Sequence, residues 1–293
     1  MVRENQQQLE QPDEQSQELV IRRILVALDT SAHSLAALET AARLASSVHA
    51  ELVGLFVEDI NLLRLAALPF AKEMRWPSSA RRVLDEARME RELQIMAAQA
   101  RRALAMAAEQ AEIEWTFRVV RGTVSDEVLN AALEVDLLSL GRASRPLTRR
   151  VRLGSTAQAA AARARGSVLL ARKGANPELP IVVTYDGSRA GSRALMAAVH
   201  MAQSTDSNLI VLVMTDDAEE APQLAEDASN LLKNRVAHAE YRYLPTEGEE
   251  RLPEVLKQEA CGLVVLGGES HLLEGERLND LIDDLDCPVL LVR

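Results

Sequence analysis

Residues Leu140 to Gln158 read LGRASRPLTRRVRLGSTAQ, with five arginines, two glycines and a Gly-Ser-Thr triplet that opens an Ala-rich stretch. These residue types are suited to holding an anion. Gly141 lets the main chain approach a ligand with no Cβ in the way. Gly154, Ser155 and Thr156 open the helix-forming stretch TAQAAAARAR, and a helix N-terminus presents unpaired N–H groups and the positive end of its dipole to a phosphate. The hydroxyls of Ser155 and Thr156 can add hydrogen bonds. Arg142, Arg145, Arg149, Arg150 and Arg152 supply charge, although five side chains cannot all face one ligand. The plainer reading is ordinary helix-start chemistry beside a solvated basic surface.

The chain around this loop is acidic. Its 293 residues carry 33 Lys+Arg against 44 Asp+Glu, a formal charge of −11, which argues against general nucleic-acid binding. Apolar residues make up 47% and aromatics only 3%, so the core must be built of Leu, Val, Ile and Ala, as in buried parallel strands and Ala-rich helices. No stretch reaches the roughly 18 apolar residues of a membrane span. The start, MVRENQQQLEQPDEQSQE, is polar and has no apolar leader segment, so it is expected to be a disordered tail (1–19) and the protein cytoplasmic. Cys261 and Cys287 read as small buried apolar residues of a reducing compartment.

The elements that must position the loop are found twice. Residues 24–59 overlay residues 181–216 at a constant offset of 157, with twelve identical pairs among 36 positions, including Asp29 with Asp186 and Ser31 with Ser188. Each copy is a short apolar run ending in Asp-x-Ser, then an Ala-rich helix, then a second apolar strand. DLLSLG (136–141) resembles GLVVLG (262–267), and SVLLAR (167–172) resembles PVLLVR (288–293). Gly154 and Gly275 lie 13 residues before Ser167 and Pro288, respectively. The expectation is an α/β chain of two doubly wound, open parallel-sheet domains related by internal repeat, 20–175 and 178–293, joined near KGANPELP. In such sheets ligands bind beyond the carboxyl ends of the strands, where strand order reverses, and Leu140–Gly141 ends one such strand. The halves differ after Asp59. The first half has a Leu-rich run (62–68), read as core, lid or partner face with core favoured, and a helix expected over Ser79–Gln110. The second half has a short acidic segment there.

The repeat and the loop spacing together resemble a tandem universal stress protein. The nucleotide motif of that family is G-x-x-G, nine residues, then G-[ST]. Here Gly141-Arg142-Ala143-Ser144, nine residues, then Gly154-Ser155 match the spacing, with Ser144 in place of the second glycine. The resemblance implies an adenine-nucleotide-binding α/β fold, with ATP or another adenine nucleotide as ligand, with or without Mg. By position, Ala27, Asp29 and Val57 resemble the adenosine contacts. Leu140, Gly141 and Ser144 resemble the ribose and first-phosphate contacts, and Gly154, Ser155 and Thr156 the phosphate cradle. Asp29 is also an acceptor in its own right at the end of the first strand, or else a cap for the helix that follows. The resemblance further suggests that the last strands of the two halves pair, making the chain its own pseudo-dimer, with a homodimer left open.

The second half explains why the loop occurs once. GGESHLLEGER (267–277) keeps Gly267 and Gly275 but has a shorter spacer, Glu276 in place of Ser155, and Glu269 and Glu274 where the first half has arginines. Carboxylates repel a phosphate. Three functions remain in view. One is a regulatory protein that binds an adenine nucleotide and is read by a protein partner. Another is a weak ATPase or nucleotide-activating transferase, which the lack of a Walker A sequence and of a His or Cys near the motif disfavours, His33 lying just after Asp29. ALDTSAHS also lacks the glycines of the PP-loop pyrophosphatase turn. The third is a nucleotide-independent scaffold whose arginines dock an acidic protein or a membrane phosphate.

Overall fold

The computed structural model describes residues 21–68, 72–75, 80–83, 85–142, 153–174, 176, 178–233, 238–245, 252–258, 261–267 and 275–293. The expected tail and most of the arginine loop, Ser144 included, lie outside these residues. The first half contains β1 (Arg23–Ala27), α1 (Ala32–Val48), β2 (Glu51–Asp59), α2 (Ile60–Ala66), β3 (Lys72–Arg75), β4 (Ala80–Val83), α3 (Glu86–Ala111), β5 (Trp115–Gly122), α4 (Val124–Ala131), β6 (Leu137–Gly141), α5 (Ser155–Arg163) and β7 (Ser167–Ala171). The second contains β8 (Ile181–Tyr185), α6 (Arg189–Thr205), β9 (Leu209–Thr215), α7 (Ala221–Leu232), β10 (Ala239–Pro245), α8 (Leu252–Gln258), β11 (Leu263–Gly267), α9 (Gly275–Asp284) and β12 (Val289–Val292).

Ten of the strands form one sheet in the order β10-β9-β8-β11-β12-β7-β6-β1-β2-β5. Within each half every pairing is parallel, and each half runs third-second-first-fourth-fifth in chain order, so the order reverses between β1 and β6 and between β8 and β11. The halves meet where β7 and β12 pair antiparallel, Val289 opposite Leu170 and Leu291 opposite Val168. Both strands are buried along their length. Because side chains alternate across a strand, the continuous apolar runs feed two cores. Ile24 and Val26 pack on one face with α1, α3, α6 and α7, and Leu25 packs on the other with α4, α5, α8 and α9. Each core contains residues of both halves. Among the described residues no helix is long and apolar enough to cross a membrane.

The correspondence between the halves extends to backbone detail. α1 and α6 span residues related by the same offset of 157, each is capped by its serine (Ser31 or Ser188), and each is followed by a left-handed residue, His49 or Asp206. Two expectations need correction. The helix expected over Ser79–Gln110 begins only at Glu86, because Ala80–Val83 is extended and takes its ladder bonds from β3. The Leu-rich run is only half core: α2 turns Leu63 inward at 5% exposure and leaves Leu62 and Leu65 at 41% and 47%, as the helical period of a surface helix requires.

Thr30 has φ +63°, and Gly187, its counterpart, has φ +75°. A β-branched residue in the left-handed region is strained by about 1–2 kcal/mol, whereas glycine adopts it freely at an unfolded-state entropy cost of about 0.5–1 kcal/mol. Thr30→Gly is therefore expected to stabilise the protein by up to about 1 kcal/mol, read as a rise in Tm of a few degrees. A lowered Tm would show that the threonine side chain outweighs the strain.

Candidate functional site

The end of β1 is shaped by a hydrogen-bonded turn. The Asp29 carboxylate accepts the Ser31 N–H at 3.0 Å through Oδ1, Ser31 Oγ accepts the Ser34 N–H at 3.1 Å, and Ser34 Oγ accepts the Asp29 N–H at 3.4 Å. Ser31, not Asp29, is thus the N-cap of α1. Asp29 holds the turn instead, and among the described residues no hydrogen bond occupies its Oδ2. The second half repeats the device: Asp186 Oδ1 accepts the Ser188 N–H at 2.9 Å, and Ser188 Oγ accepts the Gly191 N–H at 2.9 Å.

At the switch between β1 and β6 this turn walls a cleft of about 90 Å³. Ala27, Leu28 and Asp29 come from the end of β1, Leu55 and Val57 from β2, Leu140 and Gly141 from β6, and Val124 and Val128 from α4. Gly154, Thr156 and Ala157 come from the start of α5, and Ser31 and Ser34 from the first turn of α1. Seven of the ten residues named from the sequence therefore meet here: Ala27, Asp29, Val57, Leu140, Gly141, Gly154 and Thr156. Ser155 begins α5 and is exposed at the rim. Ser144 lies outside the described residues. A larger groove of about 690 Å³ runs between α1, the end of α3 and the amino ends of β8 and β11. It has no strand carboxyl end or helix N-terminus from which to hold an anion, so the smaller cleft is the better candidate.

Arg142 is the departure from expectation. Its side chain is 4% exposed and turns away from the cleft, donating to Leu285 O at 2.6 Å and Cys287 O at 3.5 Å in the second half. Burial, and then the nearby Arg172, lower its pKa to about 10, so it stays charged at neutral pH. Arg172 donates to the same Leu285 carbonyl and pairs with Asp286 at 2.5 Å. The main chain of Arg142 still serves the cleft, because its carbonyl accepts the Gly154 N–H at 2.7 Å. The neighbouring Leu153 N–H donates to Asp283 Oδ1 at 2.8 Å, so the second half braces both ends of the arginine loop.

Gly141 lines the cleft and also has a packing role. A Cβ there would lie 2.6 Å from the main-chain carbon and oxygen of His33, so glycine is required for α1 to pack on β6. Gly267 repeats this against Ala190, at 2.9 Å. The lining residues missed from sequence divide into two kinds. Ser31 and Ser34 were legible in the capping pattern after Asp29. Val124 and Val128 are four apart on one face of α4, a spacing that marks a helix face but no ligand.

The cleft is chemically polarised. A carboxylate acceptor stands at the β1 end. The first N–H groups of α5 stand at the other end, where the helix dipole favours negative charge. Leu55, Val57, Val124, Val128 and Leu140 form apolar walls between them. Among the described residues no cluster of side chains is arranged to hold a metal ion.

The family model "Universal stress protein family" matches residues 21–172. No curated protein matches the chain. Among solved structures, a universal stress protein from Archaeoglobus fulgidus DSM 4304 is similar at 15% identity over 92% of this chain and 98% of that one, with a TM-score of 0.71. A putative universal stress protein from Pseudomonas aeruginosa UCBPP-PA14 is similar at 16% identity over 94% of each chain, with a TM-score of 0.56. The cytoplasmic domain of a prokaryotic cation chloride cotransporter shares the fold at 12% identity over 92% of this chain and 95% of that one, with a TM-score of 0.51. With its family model covering more than half of the sequence, the chain belongs to the universal stress protein family.

Proposed function

We propose that this chain is a regulatory protein of the stress response that binds an adenine nucleotide, ATP foremost, in the cleft of its first half without efficient turnover. The observation that carries the reading is the polarity of the cleft: an acceptor for an amino or hydroxyl group, apolar walls for a base and ribose, and a helix N-terminus for phosphates. The phosphates would extend toward Thr156 and Ser155 at the start of α5. Binding without chemistry is supported by the lining, whose described residues offer Asp29 and hydroxyls but include no His, Cys or Lys. Mg would be carried in by the nucleotide.

In this proposal residues 20–175 are the binding domain and residues 178–293 its degenerate partner, the chain acting as its own pseudo-dimer in the cytoplasm. The second half keeps the Asp186 turn but begins α9 with Gly275-Glu276, a carboxylate where the first half has Ser155. A protein partner would read the nucleotide state.

The test is calorimetric titration of ATP into protein stripped of bound ligand, beside Ser155→Glu. A glutamate in the first turn of α5 suits the helix dipole, so the variant should fold while repelling phosphate. One site per chain is expected in the unmutated protein, with affinity at least about tenfold weaker in the variant. Absence of binding by the stripped, unmutated protein would overturn the proposal, and steady release of ADP would convert it into an enzyme. Arg142→Met should leave ATP affinity within about threefold, because that side chain faces the other half, while lowering the denaturation midpoint through the lost carbonyl contacts.

A further inference from the structure

Cys261 precedes β11 and Cys287 precedes β12, two adjacent parallel strands. Both are free thiols, and their sulfurs are 2.8 Å apart with nothing between them. A disulfide requires about 2.05 Å, so less than about 1 Å of closure separates the pair from a bond, and neither strand has to change register. The fold does not demand sulfur here. Aligning DLLSLG with GLVVLG and SVLLAR with PVLLVR places Val135 and Gly166 of the first half at the corresponding positions. The second half alone has two thiols in contact.

The two sulfurs are not equivalent. Cys261 is the more exposed, at 8% against 4%, and its thiol also lies 3.6 Å from Leu256 O. The hydrogen bond from Cys287 holds the Cys261 thiol below the usual range, while the same bond and then burial push Cys287 well above it. One sulfur is therefore suited to attack and the other to hold the proton until it is needed. Arg142 and Arg172, gripping Leu285 two residues before Cys287, place two positive charges beside the pair.

We propose that Cys261 and Cys287 form a redox-active dithiol, which a hydroperoxide converts reversibly into an intramolecular disulfide. In the first step the Cys261 thiolate attacks one peroxide oxygen. An S–O bond forms, the O–O bond breaks, the sulfur gives up two electrons, and the departing oxygen takes a proton to become water or an alcohol. In the second step Cys287 loses its proton and attacks the Cys261 sulfur. The S–S bond forms, the S–O bond breaks, and hydroxide leaves and is protonated to water. For hydrogen peroxide, two thiols and one peroxide give one disulfide and two waters, and an external dithiol reverses the bond by exchange. This site is separate from the nucleotide cleft and stands whether or not that cleft binds. The bond would form beside the Cys287 carbonyl that Arg142 contacts, close to the join between the halves.

The test is oxidation of the reduced, full-length protein with hydrogen peroxide, followed by alkylation in denaturant and peptide mapping without reductant. The expected result is loss of both thiols together, a cross-linked peptide pair lighter by two hydrogens, no covalent dimer, and recovery of both thiols with dithiothreitol. In Cys287→Ser, oxidation should stop at a sulfenic acid on Cys261 that dimedone captures, whereas Cys261→Ser should leave Cys287 at least about tenfold slower to react. The proposal is overturned if both thiols of the unmutated folded protein stay alkylatable under peroxide that oxidises the denatured chain. It is equally overturned if the only disulfide formed links two chains.

Discussion

The antiparallel pairing of β7 with β12 is the contact on which the rest of the molecule depends. Each is the last strand of its half and, unpaired, would present a row of open N–H and C=O groups and two apolar faces. Pairing them satisfies the ladder and fuses two five-stranded sheets into one, with two cores that cross the join. It also turns the second half over relative to the first, so the amino end of β12 lies beside the carboxyl ends of β6 and β7. Arg142 and Arg172 can then reach the Leu285 carbonyl, and Asp283 can reach Leu153. The second half thus fixes Arg142 and Leu153, the described residues on either side of the arginine loop.

The cleft follows from two local solutions made at the same sheet position. The Asp-x-Ser turn steers the chain from β1 into α1 and leaves a carboxylate oxygen at the strand end. The glycine that closes β6 lets α1 pack so tightly that no side chain fits. Both halves use both devices, so neither is by itself a mark of ligand binding. What distinguishes the halves is the third wall, where α5 opens with Ser155-Thr156 and α9 with Gly275-Glu276. The strained Thr30, which the second half replaces with glycine, lies in the same turn as Asp29.

The first two and last two sheet strands of each half were legible in the sequence because they are uninterrupted apolar runs and the two halves can be overlaid on one another, whereas β5 and β10 were not named from it. Residue chemistry at strand ends and a helix start pointed to Asp29, Gly141, Gly154 and Thr156, the family resemblance added Ala27, Val57 and Leu140, and these seven line the cleft. Such reading failed where a side chain had two directions open to it. Arg142 follows a strand end and belongs to a cationic loop, yet its direction is set by the Leu285 and Cys287 carbonyls, 143 and 145 residues away in sequence, which no local pattern records. The extended Ala80–Val83 segment was hidden for a related reason, since its ladder comes from a partner strand that helical periodicity cannot reveal. The 2.8 Å approach of Cys261 and Cys287 likewise exists only once β11 and β12 are neighbours.

The central claim is that a nucleotide occupies the first-half cleft and not the larger groove between α1, α3 and the amino ends of β8 and β11. The most direct measurement is a crystal structure of the protein with a non-hydrolysable ATP analogue. The account predicts one analogue per chain, its base and ribose against Val57, Ala27 and Asp29, and its phosphates at the N–H groups that open α5. An analogue lodged in the groove lined by Glu39, Arg43 and Met201, or bound equally in both halves, would contradict it.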